Sequence, residues 1–149
     1  MNSLLKVSEA TSLALHAMVY LAAKSEGLIS AGDIASELKV SEAHLAKVLQ
    51  RLAKAGLVES TRGPKGGFKL GRSPHEIALI DVYKVIEGPI PHEECLLGTK
   101  VCNGNECIFE GLIGAVNEMF ADHLKSKTLS HLTGVFAEKA GSYRNGKSK

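Results

Sequence analysis

The chain contains three cysteines, and all of them fall within the thirteen residues from Cys95 to Cys107, with Cys102 between them. Three thiolates can hold a soft metal ion or an iron–sulfur cluster. The intervals of six and four residues favour a loop wrapped around a cluster over the paired Cys-x-x-Cys knuckles of a structural zinc site. An odd number of cysteines without a secretion signal argues against a disulfide framework. The sequence therefore predicts a cluster-binding loop in a reducing cytoplasm.

The residues between the cysteines suit such a loop. Gly98 and Gly104 let the backbone curl, and the asparagines beside Gly104 favour tight turns that aim N–H groups at inorganic sulfide. Two alternatives stay open, a structural zinc site and a thiol–disulfide switch without metal. The switch would require two cysteine Cα atoms within about 7 Å of each other.

A cluster needs a fourth ligand, and the sequence offers four candidates. Glu110 lies three residues after Cys107, and His92 lies three residues before Cys95. Glu9 and Ser12 lie on the first predicted helix and would reach the cluster from a partner subunit. Spacing alone does not choose among them, and the nuclearity, 2Fe–2S or 4Fe–4S, also stays open.

The positive charge of the chain is concentrated in one segment. The formal net charge is only +2, yet residues 44–72 carry seven Lys and Arg against a single Glu. Residues 73–149 carry eight basic and ten acidic residues. One part of the molecule should therefore attract a polyanion.

The elements that would position these residues follow from the apolar pattern. Residues 8–24 predict a first helix, Ser30-Ala31-Gly32-Asp33 caps a short second helix, and Ser41 caps a third that Gly56 ends. Residues 57–61 and 67–70 predict two strands joined by the glycine-rich turn 62–66. A further helix is expected to start at residues 73–76 and to end at Gly88-Pro89. This order is that of a winged helix-turn-helix.

In that arrangement the third helix enters the major groove of duplex DNA and the turn between the strands forms the wing. The early residues of such a helix reach base edges, and the cations of the wing contact the phosphate backbone or the minor groove. The lack of an aromatic platform favours DNA over RNA. The predicted DNA contacts are Glu42, Ala43, His44, Lys47 and Arg51 on the helix, and Arg62, Lys65 and Gly66 on the wing.

After the cysteine loop, an apolar stripe from Phe109 to Leu124 predicts a long helix. We expect it to pair with its twin in a homodimer, although packing against the first helix of the same chain is an alternative. The predicted division is a winged helix-turn-helix domain (1–88), a cysteine loop (89–108), a dimerisation helix region (109–139) and a disordered tail (140–149). The fold class is thus mostly α with a small β-wing, a winged helix-turn-helix plus a long C-terminal dimerisation helix.

Enzymatic and membrane functions have little support. The sequence lacks the nucleophile-elbow, phosphate-loop and zinc-protease motifs. Its longest apolar run, residues 17–23, is too short to cross a bilayer. We therefore expect a cytoplasmic protein that is not an enzyme.

Several motifs resemble those of the bacterial Rrf-two family of winged-helix regulators, especially its IscR-like and NsrR-like branches, which bind iron–sulfur clusters. The resemblance covers residues 13–132. It is carried by Leu13-Ala14-Leu15 with Leu21-Ala22, His44-Leu45-Ala46-Lys47 with Leu52, Ala55-Gly56-Leu57-Val58, the wing Arg62-Gly63-Pro64-Lys65-Gly66-Gly67-Phe68-Lys69-Leu70, Ile86-Glu87-Gly88-Pro89 and the three cysteines.

The resemblance implies a dimeric repressor that holds one cluster per subunit, and whose cluster state sets its affinity for a palindromic operator. The signal would be nitric oxide, redox state or iron–sulfur supply. Two departures concern the fourth ligand. IscR-like members have a histidine where this chain has Glu110, and NsrR-like members use an acidic residue where this chain has Ser12. The CymR-like branch, which lacks the cysteines, is the poorest analogue.

Overall fold

The computed structural model describes residues 5–24, 26–92, 95–99 and 101–137. The helices are α1 (Glu9–Ala23), α2 (Ala31–Leu38), α3 (Glu42–Lys54), α4 (Leu79–Glu87) and α5 (Leu112–Ser126), and the strands are β1 (Val58–Thr61) and β2 (Gly67–Leu70). Two short 3-10 helices, Leu129–His131 and Thr133–Phe136, follow α5. The predicted fold class, mostly α with a small β-wing, is confirmed. The predicted disordered tail, residues 140–149, lies outside the described residues.

Helices α2 and α3 begin after Ser30 and Ser41, the caps that the sequence predicts, and α1 begins after Ser8, the first residue of the predicted range. The hydroxyl of a serine accepts a hydrogen bond from the backbone N–H three residues later in each helix, which satisfies one of the free donors of the first turn. These bonds are Thr11 N to Ser8 Oγ (3.2 Å), Asp33 N to Ser30 Oγ (3.1 Å) and His44 N to Ser41 Oγ (3.3 Å). The helix-turn-helix is therefore specified largely by local signals.

The wing is a tight antiparallel hairpin. Strands β1 and β2 pair from Val58 with Leu70 to Thr61 with Gly67. A β-carbon on Gly66 would lie 2.1 Å from the backbone oxygen of Thr61, so only glycine fits at this position of the turn. On its other edge β2 is joined by Ile29, which exchanges two backbone hydrogen bonds with Phe68.

One apolar core fixes the winged unit. Helices α1, α3 and α4 each contribute a buried stripe, and burial of each large side chain contributes about 1.5–3 kcal/mol. The largest fully buried side chains are Met18, Ile34, Leu45, Leu49, Leu52, Ile77, Tyr83 and Leu129. Helix α3 therefore presents its opposite face, which carries Lys47 and Arg51, to solvent.

Helix α4 begins later than the sequence predicts. The segment 74–76 is a turn, and the helix starts at Leu79 because the preceding residues pair with a distant part of the chain. Ala78 forms a bridge with Thr128, and Leu129 donates its N–H to the carbonyl of Ile77. The predicted start at residues 73–76 was wrong, whereas the end before Gly88 is confirmed.

The predicted apolar stripe is partly buried and partly exposed on α5. The helix starts at Leu112, so Phe109 precedes it instead of lying on it. Ile113, Ala121 and Leu124 are buried, and Phe120 meets Tyr83 of α4 with ring centroids 5.6 Å apart. Leu112 and Met119 remain 53% and 73% exposed. The buried side thus packs on α4 instead of the first helix, which had been the alternative.

The end of the described chain returns to the winged unit. Phe136 packs edge-on against Tyr20 of α1, with ring centroids 5.5 Å apart. Together with the pairing of residues 77–79 with residues 127–129, this contact ties the segment that follows α5 to the winged unit. The division at residues 88 and 108 remains a prediction.

Candidate nucleic-acid interface and cysteine cleft

The exposed face of α3 presents the side chains that the sequence assigns to DNA. Ala43 and Lys47 are exposed, and in the described part of the chain Lys47 has no hydrogen-bonded or ion-paired partner. His44 is half-buried, with its Nδ1 atom 3.7 Å from Oε1 of Glu9 on α1. Glu42 turns toward α2, where its Oε2 atom would lie 3.4 Å from a β-carbon placed on Gly32.

Arg51 differs from its neighbours on α3. Its Nη2 atom donates to the carbonyl oxygens of Val85, at 3.3 Å, and Ile86, at 3.0 Å. These are carbonyls of the last turn of α4, which lack partners within their own helix. Arg51, which the sequence assigns to DNA, therefore makes hydrogen bonds within its own chain.

The wing presents two cations at its tip. Arg62 and Lys65 are exposed, and neither has a partner among the residues that the structure describes. Lys69, on β2, is instead paired with Glu59 across the hairpin at 3.3 Å. The half-buried Gly66 brings the backbone of the turn close to the Thr61 carbonyl. The tip thus combines free positive charge with backbone that can approach a phosphate closely.

The three cysteines line one cleft. Its volume is about 250 Å³, and its other lining residues are Gly104, Glu106, Gly111 and Gly114. Cys95 is half-buried, and Cys102 and Cys107 are exposed. Because the two glycines from the start of α5 carry no side chain, they leave the space in front of the thiols open. The loop folds as a set of turns, with Gly98 N bonded to Cys95 O at 3.1 Å and Glu110 N bonded to Cys107 O at 3.0 Å.

The cleft has a helix N-terminus on one side and the carboxylate of Glu106 in its lining. It borders the N-terminus of α5, the positive end of the helix dipole, and no side chain of the described residues caps the first turn. The backbone N–H of Phe109 donates to Sγ of Cys107 at 3.4 Å. Among the described residues, no three His, Cys, Asp or Glu side chains converge on a point that a single metal ion would occupy. The donor set and its surroundings nevertheless fit an anionic, thiolate-bound group.

Neither Glu110 nor His92, the two fourth-ligand candidates near the cysteines, lines this cleft. Glu110 is exposed and adopts a left-handed backbone conformation at φ 49°, and His92 lines a separate cleft beside Glu118 and Asp122 of α5. Glu9 lies beside His44, and Ser12 is half-buried on α1. Glu106 does line the cleft. The sequence reasoning missed it, although its place directly before Cys107 was a usable signal.

Comparison with known proteins identifies the chain. Residues 7–134 match the family Rrf2, described as an iron-dependent transcriptional regulator. The chain belongs to the Rrf2 family. It is 34% identical over 127 residues to the transcriptional regulator NsrR of Bacillus licheniformis, covering 85% of this chain and 82% of that protein. It is also 34% identical over 121 residues to IscR of Pectobacterium carotovorum subsp. carotovorum, covering 80% and 73% of the two chains.

The solved structures agree. CymR, the global cysteine regulator of B. subtilis, superposes with a TM-score of 0.74 at 33% identity, covering 89% of this chain and 99% of that chain. The family resemblance drawn from the motifs is thereby confirmed. This Rrf2-family chain is a transcriptional regulator and not an enzyme, as the sequence predicted. Within the described residues no helix is both long and apolar enough to span a membrane.

Proposed function

We propose that this Rrf2-family protein is a cytoplasmic repressor whose affinity for a palindromic DNA operator is controlled by an iron–sulfur cluster. Cys95, Cys102 and Cys107 would hold the cluster, of either the 2Fe–2S or the 4Fe–4S type. The observation that carries the proposal is that the only three thiols of the chain line a single cleft at the positive end of α5. When bound, the cluster supplies a centre that nitric oxide, redox state or iron–sulfur supply can change.

The protein residues have separate roles in this proposal. The thiolates bind the cluster, the N-terminus of α5 stabilises its negative charge, and Phe109 N–H donates to the sulfur of Cys107. The fourth ligand is an oxygen or nitrogen donor, and an oxygen donor binds iron more weakly than thiolate does. A cluster held in this way can be lost or attacked more easily, as a sensor requires.

Iron and acid-labile sulfide analysis of protein purified without air tests the proposal. Iron and sulfide should be present together with visible absorbance, because iron–sulfur charge transfer is coloured. Colourless protein that contains zinc would contradict the proposal, since Zn²⁺ has a filled d shell and no such absorbance. Colourless, metal-free protein with an internal disulfide would indicate the thiol–disulfide switch instead.

DNA would be held by the exposed face of α3 and by the wing. In this proposal Lys47 would read a base edge, with Ala43 and His44 beside it, while Arg62, Lys65 and the backbone at Gly66 would contact phosphates. Glu42 turns toward α2. Its carboxylate would repel a DNA phosphate, so it would disfavour binding modes that bring a phosphate close to it.

We expect Arg62→Ala and Lys65→Ala each to weaken operator binding. Each loses one phosphate contact, so the slope of log affinity against log salt should fall by about one, and all DNA sequences should be affected alike. Titration of a labelled operator at several salt concentrations measures this effect.

Lys69→Ala is the matched control, because Lys69 is an exposed cation of the same hairpin that is paired with Glu59. It should change the slope less than either tip variant. If neither tip variant changes affinity or slope, the wing does not contact DNA.

A homodimer would bring two recognition helices to one palindrome, with half-sites about 34–36 Å apart. The exposed face of α5 is the proposed dimer surface. Leu112 and Met119 lie seven residues apart on this face, with the exposed Ala115 between them. Ile113, in contrast, is buried within its own chain.

Met119→Glu should therefore dissociate the dimer, because a carboxylate without a partner costs several kcal/mol in an apolar interface. Sedimentation should show monomers, and operator affinity should fall although no DNA contact has changed. Lys125→Glu places the same charge on another face of α5 and should leave the dimer intact. A wild-type monomer that still protects a palindromic operator would contradict the proposal.

A further inference from the structure

The last turn of α4 is a junction between three parts of the molecule. Arg51 of α3 donates to the carbonyl oxygens of Val85 and Ile86 in this turn. A guanidinium suits the site because the carbonyls at a helix C-terminus are unpaired and carry the negative end of the helix dipole. The two hydrogen bonds join residues that are 34 and 35 positions apart in the sequence. They therefore connect α3, the proposed recognition helix, to α4.

The same turn is fixed to the start of α1. Glu87 accepts hydrogen bonds from the backbone N–H of Ser8, at 2.9 Å, and from the hydroxyl of the fully buried Thr11. Burial by itself raises the pKa of Glu87, but these hydrogen bonds and the nearby Lys6 outweigh it, so the pKa lies below its usual value. The carboxylate of Glu87 therefore fixes the last turn of α4 to the first turn of α1.

The cysteine loop begins where this turn ends. Gly88 leaves α4 with a left-handed φ of 82°, and Ile90 is buried with 8% of its surface exposed. Only four residues separate Ile90 from Cys95. The loop is therefore close in sequence to the carbonyls that Arg51 contacts.

We propose that Arg51 is a positioning residue that transmits the state of the cysteine loop to the recognition helix through the carbonyls of Val85 and Ile86. This inference rests on the proposed function of the loop as a cluster site. It reassigns Arg51 from a direct DNA contact to the link between the two sites. Lys47, one turn away and without a partner in the described structure, remains on the DNA side of α3.

The two roles of Arg51 give different signatures. A phosphate contact strengthens binding in every cluster state and contributes about one to the salt slope. A positioning contact instead changes the ratio of the affinities of the holo and apo forms. Arg51→Lys separates the roles, because lysine keeps the charge but lacks the planar guanidinium and its reach.

The experiment measures operator affinity for holo and apo full-length protein at several salt concentrations. In the wild type the two affinities should differ by about 5–150-fold. Arg51→Lys and Arg51→Gln should bring this ratio close to unity, with unchanged visible absorbance of the holo form. Lys54→Gln, an exposed cation of the same helix, is the control and should preserve the ratio.

Two results would overturn the inference. One is an Arg51→Lys variant that keeps the wild-type ratio. The other is an Arg51→Gln variant that keeps the ratio and lowers the salt slope by about one, which would make Arg51 a phosphate contact.

If the wild type has equal affinities in its holo and apo forms, the proposed function is wrong. That result alone would not overturn the link through Arg51. Hydrogen exchange then tests the link directly in the apo protein. DNA binding should slow amide exchange in residues 86–92 of the wild type but not of Arg51→Lys. Equal slowing in both proteins would contradict a role for Arg51 in transmission.

Discussion

Replacement of any one of the three cysteines by alanine is expected to abolish the visible absorbance that the wild-type protein shows after anaerobic reconstitution with iron and sulfide. Each variant keeps only two thiolates, and the chain contains no other cysteine that could take the missing place. Visible absorbance together with iron and sulfide content measures the effect. The three variants are Cys95→Ala, Cys102→Ala and Cys107→Ala.

Val101→Ala is the matched control for these variants. Val101 lies in the same loop beside Cys102, is 78% exposed and offers no ligand atom. It should therefore keep the full cluster content. Circular dichroism of all four variants should match the wild type, because the loop lies outside the apolar core. Full cluster content in one of the cysteine variants would remove that cysteine from the site.

The same assay addresses the fourth ligand. Glu106 lines the cleft, whereas Glu110 is the candidate that lies three residues after Cys107. The variant that removes the ligand should still assemble a cluster on three thiolates but should lose it faster in air. Comparison of Glu106→Gln with Glu110→Gln under identical conditions identifies which carboxylate acts.

The part of the fold that local sequence specifies was predicted well. The serines that cap α2 and α3 and the glycines of the wing act within a few residues of their own position, so their effect is visible in the sequence. The start of α4 was missed because Ile77 and Ala78 pair with residues about fifty positions later. No local pattern contains that partner.

The candidate site shows the same limit. The sequence identified the three cysteines, and the structure brings them to one cleft. It did not identify Glu106 as a lining residue, since the turns of the loop decide which side chain faces the thiols. The sequence also gives no sign that Arg51, a predicted DNA contact, reaches the α4 carbonyls, because those carbonyls lie 34 and 35 residues away in the chain.

Loss of the cluster is expected to change operator affinity by about 5–150-fold, a coupling of about 1–3 kcal/mol. A ligand shifts a conformational equilibrium only when it binds the two states differently. The cysteine loop lies between the anchored turn of α4 and the start of α5. Ordering it around a cluster would therefore act on both the recognition helix and the proposed dimer surface.

Variants of the loop separate this effect from direct DNA contacts. Cys102→Ala should fix the protein in its apo affinity whatever the iron supply, while its salt slope stays that of the wild-type apo form. Arg62→Ala should lower affinity in both cluster states and leave their ratio unchanged. Gel-shift titrations of the two variants, each with and without reconstitution, make the comparison.

The most direct test of a cluster-controlled regulator is one anaerobic titration of the operator with holo and apo wild-type protein at the same salt concentration. We predict two separate binding curves, displaced by about 5–150-fold in protein concentration. Exposure of the holo protein to nitric oxide or air should move its curve onto that of the apo form. Superimposed holo and apo curves would contradict the account and would leave the cluster, if present, with a structural role.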